Sequence, residues 1–258
     1  MQTVLFTSTI FGPIHSRRLG TSLGVNLMPR DGKVCSFDCL YCEAGFNAQG
    51  TGTSGLPDRL EVRTLLEQKL SAMKAAGEPL DVITFSGNGE PTLHPDFAAI
   101  AADTMELRDK YYPEARVSVL SNSTRIDRPD IVEALRHVDN NILKLDSAID
   151  STVQALDRPV SPAYTVENTI RLLKQFAGHC IIQTMILRGR HADLTIDNTT
   201  DAEIDALIQA YKAIGPAEVM LYSIDRKTPA EWLQKVERDE LERIADKIRS
   251  HGIKVLVS

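Results

Sequence analysis

A parallel α/β fold, wound as an open, partial (β/α)6 TIM-like barrel, is what this sequence predicts, and three observations carry the expectation. Short β-branched runs alternate six times with longer segments of helical spacing. The runs are nearly continuous in apolar residues, as strands covered on both faces are. Six units are too few to close an eight-stranded barrel, and 258 residues suit one domain of this kind. A flat doubly wound sheet is the competing arrangement.

Taken in order, residues 2–10 are expected to pair at a sheet edge. Strands follow at 22–28, 81–86, 116–121, 142–147, 180–187 and 217–223, with a last short strand at 253–257. Helices are expected at 58–76, 95–110, 129–138, 164–177, 201–214 and 239–251, the last inside a charged amphipathic stretch, 231–251, read as helical throughout. His94-Pro95-Asp96 and Arg128-Pro129-Asp130 punctuate helix starts, while Gly178, Gly215 and Gly252 stand past helix ends, where a left-handed residue is wanted. No repeat, low-complexity tract or linker divides the chain, so 1–258 reads as a single domain with 1–20 as an N-terminal edge segment. Residues 44–57 (AGFNAQGTGTSGLP) form a glycine-rich loop within it.

Composition narrows the function. A net charge of −6 gives no global attraction for phosphate backbones, and 5 % aromatic content argues against a base-stacking platform. The opening MQTVLFTSTIFG lacks a basic region followed by an apolar run, and nowhere do eighteen apolar residues follow one another. A cytoplasmic location is expected, and in that reducing setting clustered cysteines point to metal or redox chemistry.

In parallel α/β folds chemistry sits in the loops leaving the carboxyl ends of strands. CSFDCLYCE (35–43) lies in the first such loop and holds Cys35, Cys39 and Cys42; the fourth cysteine, Cys180, opens an apolar strand and reads as a small core residue. Iron–sulfur cubanes normally take four thiolates, so three leave one iron open to a ligand. A structural zinc site is closed by four donors, and a zinc-binding module is the other reading. After the second strand, FSGNGEPTLHP (85–95) supplies Gly87 and Gly89, which let backbone approach a ligand, and Glu90, which can take an ammonium. Ser121, Asn122 and Ser123 follow the third strand, and Lys144 and Asp146 the fourth. Each can hydrogen-bond a ligand or serve as an ordinary turn or capping residue. Gln183 and Thr184 interrupt the apolar fifth strand and are placed in the barrel interior. His94 reads as part of a helix start, and the other histidines show no ligand spacing. H-E-x-x-H, G-x-S-x-G, Walker A and G-x-G-x-x-G patterns are absent.

The Cys-x-x-x-Cys-x-aromatic-Cys run, with the G-x-G-E-P stretch one strand later, resembles the signature of the radical S-adenosylmethionine (SAM) superfamily. The lead-in GPIHSRRLGTSLGVNLMP (12–29) is similar to that of the wyosine-base synthases, which remodel a guanosine in tRNA, but the extra cysteines those carry ahead of the triad are missing here. The resemblance implies a [4Fe–4S] cluster on Cys35, Cys39 and Cys42, with SAM chelating the open iron. It places Tyr41 against the adenine, Gly87, Gly89 and Glu90 at the methionine amino group, and Ser121, Asn122, Lys144 and Asp146 at ribose and carboxylate. It further implies an electron donor of flavodoxin or ferredoxin type, and reductive SAM cleavage to a 5′-deoxyadenosyl radical that takes hydrogen from a nucleoside or tRNA, a small metabolite or a peptide. Net charge does not favour tRNA. A glycyl-radical activase of a partner protein, or a non-enzymatic iron–sulfur carrier, are the alternatives. Arg226, in YSIDRKTP after the sixth strand, is the candidate substrate contact. Arg17, Arg18, Arg188, Arg190 and His191 could form an anion patch or be ordinary paired surface charge, and 44–57 and 188–200 are candidate lids.

Overall fold

The computed structural model describes residues 4–16 and 20–258, so Arg17 and Arg18 of the suggested anion patch lie outside the described residues. The chain runs β1 (Ile10–Ser16), β2 (Gly20–Val25), α1 (Arg59–Ala75), β3 (Val82–Phe85), α2 (Phe97–Tyr111), β4 (Arg116–Ser121), α3 (Pro129–His137), β5 (Asn140–Lys144) and α4 (Asp150–Leu156). It continues through α5 (Val166–Leu173), β6 (Ile181–Met185), β7 (Leu187–His191), β8 (Leu194–Asp197), α6 (Asp201–Ile214), β9 (Glu218–Tyr222), β10 (Trp232–Lys235), α7 (Arg238–Arg249) and β11 (Val255–Val257).

Among the described residues eight strands form one sheet in the order β1-β2-β3-β4-β5-β6-β9-β11, parallel throughout except for the antiparallel β1–β2 pair at the edge. In a flat sheet Gly24 on β2 and Met220 on β9 would stand five strand spacings, roughly 24 Å, apart. Both line a single interior cavity of about 150 Å³, so the sheet is curled into an open barrel, as expected, and is not the flat alternative. Outward residues such as Leu23, Phe85, Val119, Leu143, Ile182 and Leu221 are fully buried under the helices, whose inward faces supply Leu66, Leu70, Ile100 and Leu207. Helix ends follow the sequence signals: Asp58 and Thr200 accept from Glu61 N and Glu203 N as N-caps, and Gly178, Gly215 and Gly252 take φ of 75°, 67° and 78°.

Five expectations need correction. The edge strand is Ile10–Ser16, and the described residues 4–9 of the expected 2–10 lie outside it. Residues 164–177 are helical only to Leu173, with a single 3₁₀ turn at Lys174–Phe176. The 188–200 connection is no lid loop; β7 and β8 form a hairpin that β10 joins as a second sheet. The stretch 231–251 accordingly begins as strand β10, and α7 starts only at Arg238. Finally, Gln183 faces the barrel interior, but Thr184, one residue on, faces outward and bonds Tyr211 Oη at 2.7 Å.

Candidate functional site

The loop carrying the cysteines is fixed from both sides by backbone. Just past β2, Asn26 Oδ1 accepts from Met28 N at 3.2 Å and from Asn88 N at 3.0 Å. Asn88 Nδ2 in turn donates to Pro29 O at 2.8 Å. Val34 N then donates to Asn88 O and Glu90 N to Val34 O, a short parallel bridge centred on Gly89. A Cβ at Gly89 would lie 1.8 Å from Val34 O, and φ there is +147°, so glycine is required for the loop to seat. On the other side the chain leaving α4 supplies Asp157 O to Asp38 N and Leu156 O to Leu40 N, and Val160 N donates to Ser36 O.

Residues 44–57 are pinned as well. Buried Lys33 Nζ donates to Gly45 O at 2.7 Å, and the Asp31 carboxylate accepts from Thr53 N, Thr53 Oγ1 and Ser54 N. Those bonds hold the Asp31 carboxyl well below its ordinary range. These bonds tie both ends of the stretch to the segment before the cysteines.

Three thiols come together on this loop. Cys39 is buried, Cys35 and Cys42 are half-buried, and Cys180 lies in the core between sheet and helices. Asn122 Nδ2 points at Cys35 Sγ from 3.6 Å, and Lys144 Nζ donates to Cys39 Sγ at 3.0 Å. Burial, helped by the Glu90 charge, pushes the Cys35 thiol up to about 11. Burial also raises Cys39, with Lys144 opposing it. Metal binding here would therefore have to displace protons. Among the described residues no three His, Cys, Asp or Glu side chains converge as ligands of a single ion.

Lys144, at the end of β5, is the charged centre of the site. Its ammonium lies 3.0 Å from Asp146 and 2.6 Å from Asp157, bonds Tyr41 Oη, and sits 4.6 Å from the centre of the Tyr41 ring. Burial alone would lower its pKa; Asp146 and Asp157 outweigh that and hold it charged. Burial, against the pull of Lys144, pushes Asp157 up to about 7. Tyr41 Oη donates to Asp146, whose other oxygen accepts from Met185 N at 2.9 Å. Buried Asn198 ties β6 to β7 through bonds to Asp146 O, Met185 O and Leu187 N.

Each candidate from the sequence can now be placed. Cys35, Cys39, Tyr41, Cys42, Lys144 and Asp146 meet at the mouth, with Asn122 against Cys35. The Gly87 and Gly89 backbones seat against Asn26 and Val34. Glu90 is buried, and its carboxylate accepts from Thr92 N, Thr92 Oγ1, Ser121 Oγ and Asn122 N, so it binds loops of this chain to one another. Arg226 reaches the rim, where it pairs with Glu43, the residue after Cys42; both line a mouth cavity of about 450 Å³. His94 bonds Pro57 O and Asp96 N, as a helix-start residue would. Arg188 is a paired surface charge, on Glu240 and Asp197. Sequence reasoning missed Asp157 and Asn198, which lie in no motif, and gave no role to Asn26, Asn88 and Glu43, which lie within the quoted stretches 12–29, 85–95 and 35–43.

A family model for the radical SAM superfamily matches residues 31–194, more than half of the chain, including Cys35, Cys39, Cys42, Glu90, Asn122, Lys144 and Asp146. The chain belongs to that superfamily. It is a radical SAM enzyme, from a family defined by SAM and an iron–sulfur cluster. A UPF0026 protein of Helicobacter pylori is 28 % identical over 235 residues, covering 90 % of this chain and 71 % of that one. A UPF0026 protein of Methanocaldococcus jannaschii is 31 % identical over 181 residues, covering 69 % and 53 %. Among solved structures, a radical SAM methyltransferase from Sphaerobacter thermophilus superposes with TM-score 0.67 at 18 % identity, over 92 % of this chain and 65 % of that one. SuiB of Streptococcus suis bound to S-adenosylmethionine superposes with TM-score 0.62 at 15 % identity, over 91 % and 50 %. At such identities these likenesses establish the shared partial barrel, and this chain spans less than two thirds of either solved chain. Among the described residues no helix is long and apolar enough to cross a membrane.

Proposed function

We propose that Cys35, Cys39 and Cys42 hold a [4Fe–4S] cluster whose open iron takes SAM, and that the mouth beside Tyr41, Gln183 and Arg226 receives the substrate. The observation that carries this reading is the set of donors aimed at sulfur: Lys144 on Cys39 and Asn122 on Cys35, on a loop fixed by backbone from both flanks. Donors and a cation beside thiolates fit an anionic iron–sulfur centre, and hydrogen bonds to the sulfurs tune its potential. With the fourth cysteine in the core, the protein supplies three thiolates and leaves one corner free.

When bound, the pair supplies one-electron cleavage of the sulfonium and a hydrogen-abstracting carbon radical. The chain's own residues then have three tasks. Asn88, Val34 and Leu156–Asp157 hold the thiolates in place. Lys144 holds positive charge next to Cys39 while its two carboxylates fix its position. The second sheet, through Leu187, Ile196 and Leu233, packs with Leu40, Tyr41 and Phe46 into a small separate core that shields the loop from water.

Anaerobic reconstitution is the test. About four irons per chain and release of 5′-deoxyadenosine on reduction with SAM are expected, lost on Cys35→Ala, Cys39→Ala or Cys42→Ala and kept in Cys180→Ala. Stoichiometric zinc with no iron, or iron lost in Cys180→Ala alone, would overturn the assignment.

A further inference from the structure

Below the mouth, the barrel interior holds a second cavity of about 150 Å³. The two share Ile14, Leu120 and Gln183 as lining, so the chamber is a continuation of the mouth rather than a sealed void. Its far wall is built by the N-terminal segment. The Phe11 ring lies over Gly24, where a Cβ would come within 2.1 Å of it, and Phe6 stacks on Phe11 with ring centres 3.8 Å apart.

The chemistry of this chamber is specific. Among the described residues none of those lining it is ionisable. Phe11, Ile142 and Met220 make it apolar, and the Ser22 and Thr84 hydroxyls in its wall satisfy each other at 2.8 Å. The Ser86 hydroxyl, also in the wall, and the Gln183 amide differ: among the described residues neither side chain makes a hydrogen bond. Gln183 stands half-buried where chamber and mouth meet. A primary amide offers two donors and an acceptor, and leaving them unmatched beside an apolar wall is costly.

We propose that the chamber binds a compact, uncharged group bearing an amide-type donor–acceptor edge, and that Gln183 is the residue that reads that edge. This rests on the reading of the mouth as the reacting site. A cavity of this size accepts about six non-hydrogen atoms, a single ring or its open-chain equivalent. A charged group entering it would lose its hydration and find no counter-charge among the described lining residues. Charges on the rest of the same molecule would stay at the rim, where Glu43 and Arg226 stand. The substrate class is therefore a molecule with a neutral lactam- or amide-like head that enters first and a more polar remainder that stays outside.

Three probes of similar size separate the terms: 2-pyridone (neutral, amide edge), benzene (neutral, no edge) and benzoate (charged), titrated calorimetrically into the reconstituted holoprotein. 2-Pyridone should bind roughly tenfold tighter than benzene, the worth of one well-made hydrogen bond, and benzoate should not bind. Gln183→Leu should erase the preference for 2-pyridone while retaining benzene, and Ile142→Phe, which fills the chamber, should lose both; thermal unfolding checks that each variant is folded. Benzoate binding as well as 2-pyridone, a preference that survives Gln183→Leu, or no binding of 2-pyridone would each overturn the proposal. Iron content and SAM cleavage measured on the same holoprotein separate the two ideas. Probe binding without SAM cleavage removes the radical reading alone, and SAM cleavage without probe binding removes the chamber alone.

Discussion

Replacing Gly89 by alanine tests how the cysteine loop is seated. The added Cβ would start 1.8 Å from Val34 O, so the carbonyl, one residue before Cys35, must retreat by more than an ångström. That stretches two backbone bonds, Val34 N to Asn88 O at 3.1 Å and Glu90 N to Val34 O at 3.0 Å. Each is worth about 1 kcal/mol net, and the positive φ adds at least about 1 kcal/mol for any residue with a side chain. The expected loss is about 3 kcal/mol. Gly77→Ala is the control: φ there is +69° but nothing lies within 4 Å of its Cβ, which leaves only the conformational cost of about 1 kcal/mol. Urea unfolding of both variants, with iron counted after anaerobic reconstitution, gives the comparison. If Gly89→Ala unfolds within the error of Gly77→Ala and keeps its iron, the idea that close backbone contact positions the thiolates is wrong.

Lys144→Met strands Asp146 and Asp157 in the interior and should cost about 3–5 kcal/mol, because an uncompensated buried charge remains; Lys144→Met/Asp157→Asn should be less destabilised than Lys144→Met alone in the same denaturation assay. Asp103, between α1 and α2, has its carboxyl held below 3.8 chiefly by the hydrogen bond from Arg59. Its contribution is present above 3.8 and fades as pH falls through the lower folded value. Both guanidiniums are partly exposed, so Asp103→Asn should cost about 1 kcal/mol at neutral pH, with the gap to wild type closing in acid-unfolding curves below 3.8. At the rim, Glu43 and Arg226 are well exposed, and Glu43→Gln should change stability by less than about 0.5 kcal/mol. A larger effect in thermal unfolding would show that the pair braces the mouth.

Legibility followed how local each signal is. Strands β2 to β6 and β9 are short apolar runs because helices cover one face and a narrow interior the other, so their composition alone reveals them. The second sheet left no such trace. Its hairpin turns through Ala192 and Asp193, with Ala192 at φ +50° where glycine or asparagine would announce a tight turn. Its third strand pairs Leu187 with Lys235, far along the chain, and sits directly before an amphipathic helix whose pattern absorbed it. The site divides in the same way. Three cysteines in eight residues are visible in any reading, but Asp157 and Asn198 matter only because α4 and β8 bring them to Lys144 and Asp146.

Glu90 shows how the glycine–carboxylate stretch ties the site together. Among the described residues no cation pairs with this buried carboxylate, which is costly, and burial raises its pKa. Four donors from two loops offset that cost: Thr92 through its amide and hydroxyl, Ser121 through its hydroxyl and Asn122 through its amide. The Glu90 backbone amide meanwhile bonds Val34 of the cysteine loop, and the Asn122 side chain reaches Cys35. Three loops from three strands are thus one hydrogen-bonded unit, and a displacement at any of them is passed to the thiolates. Glycine contact and a shared carboxylate thus hold three strand ends rigid enough to carry a reactive centre.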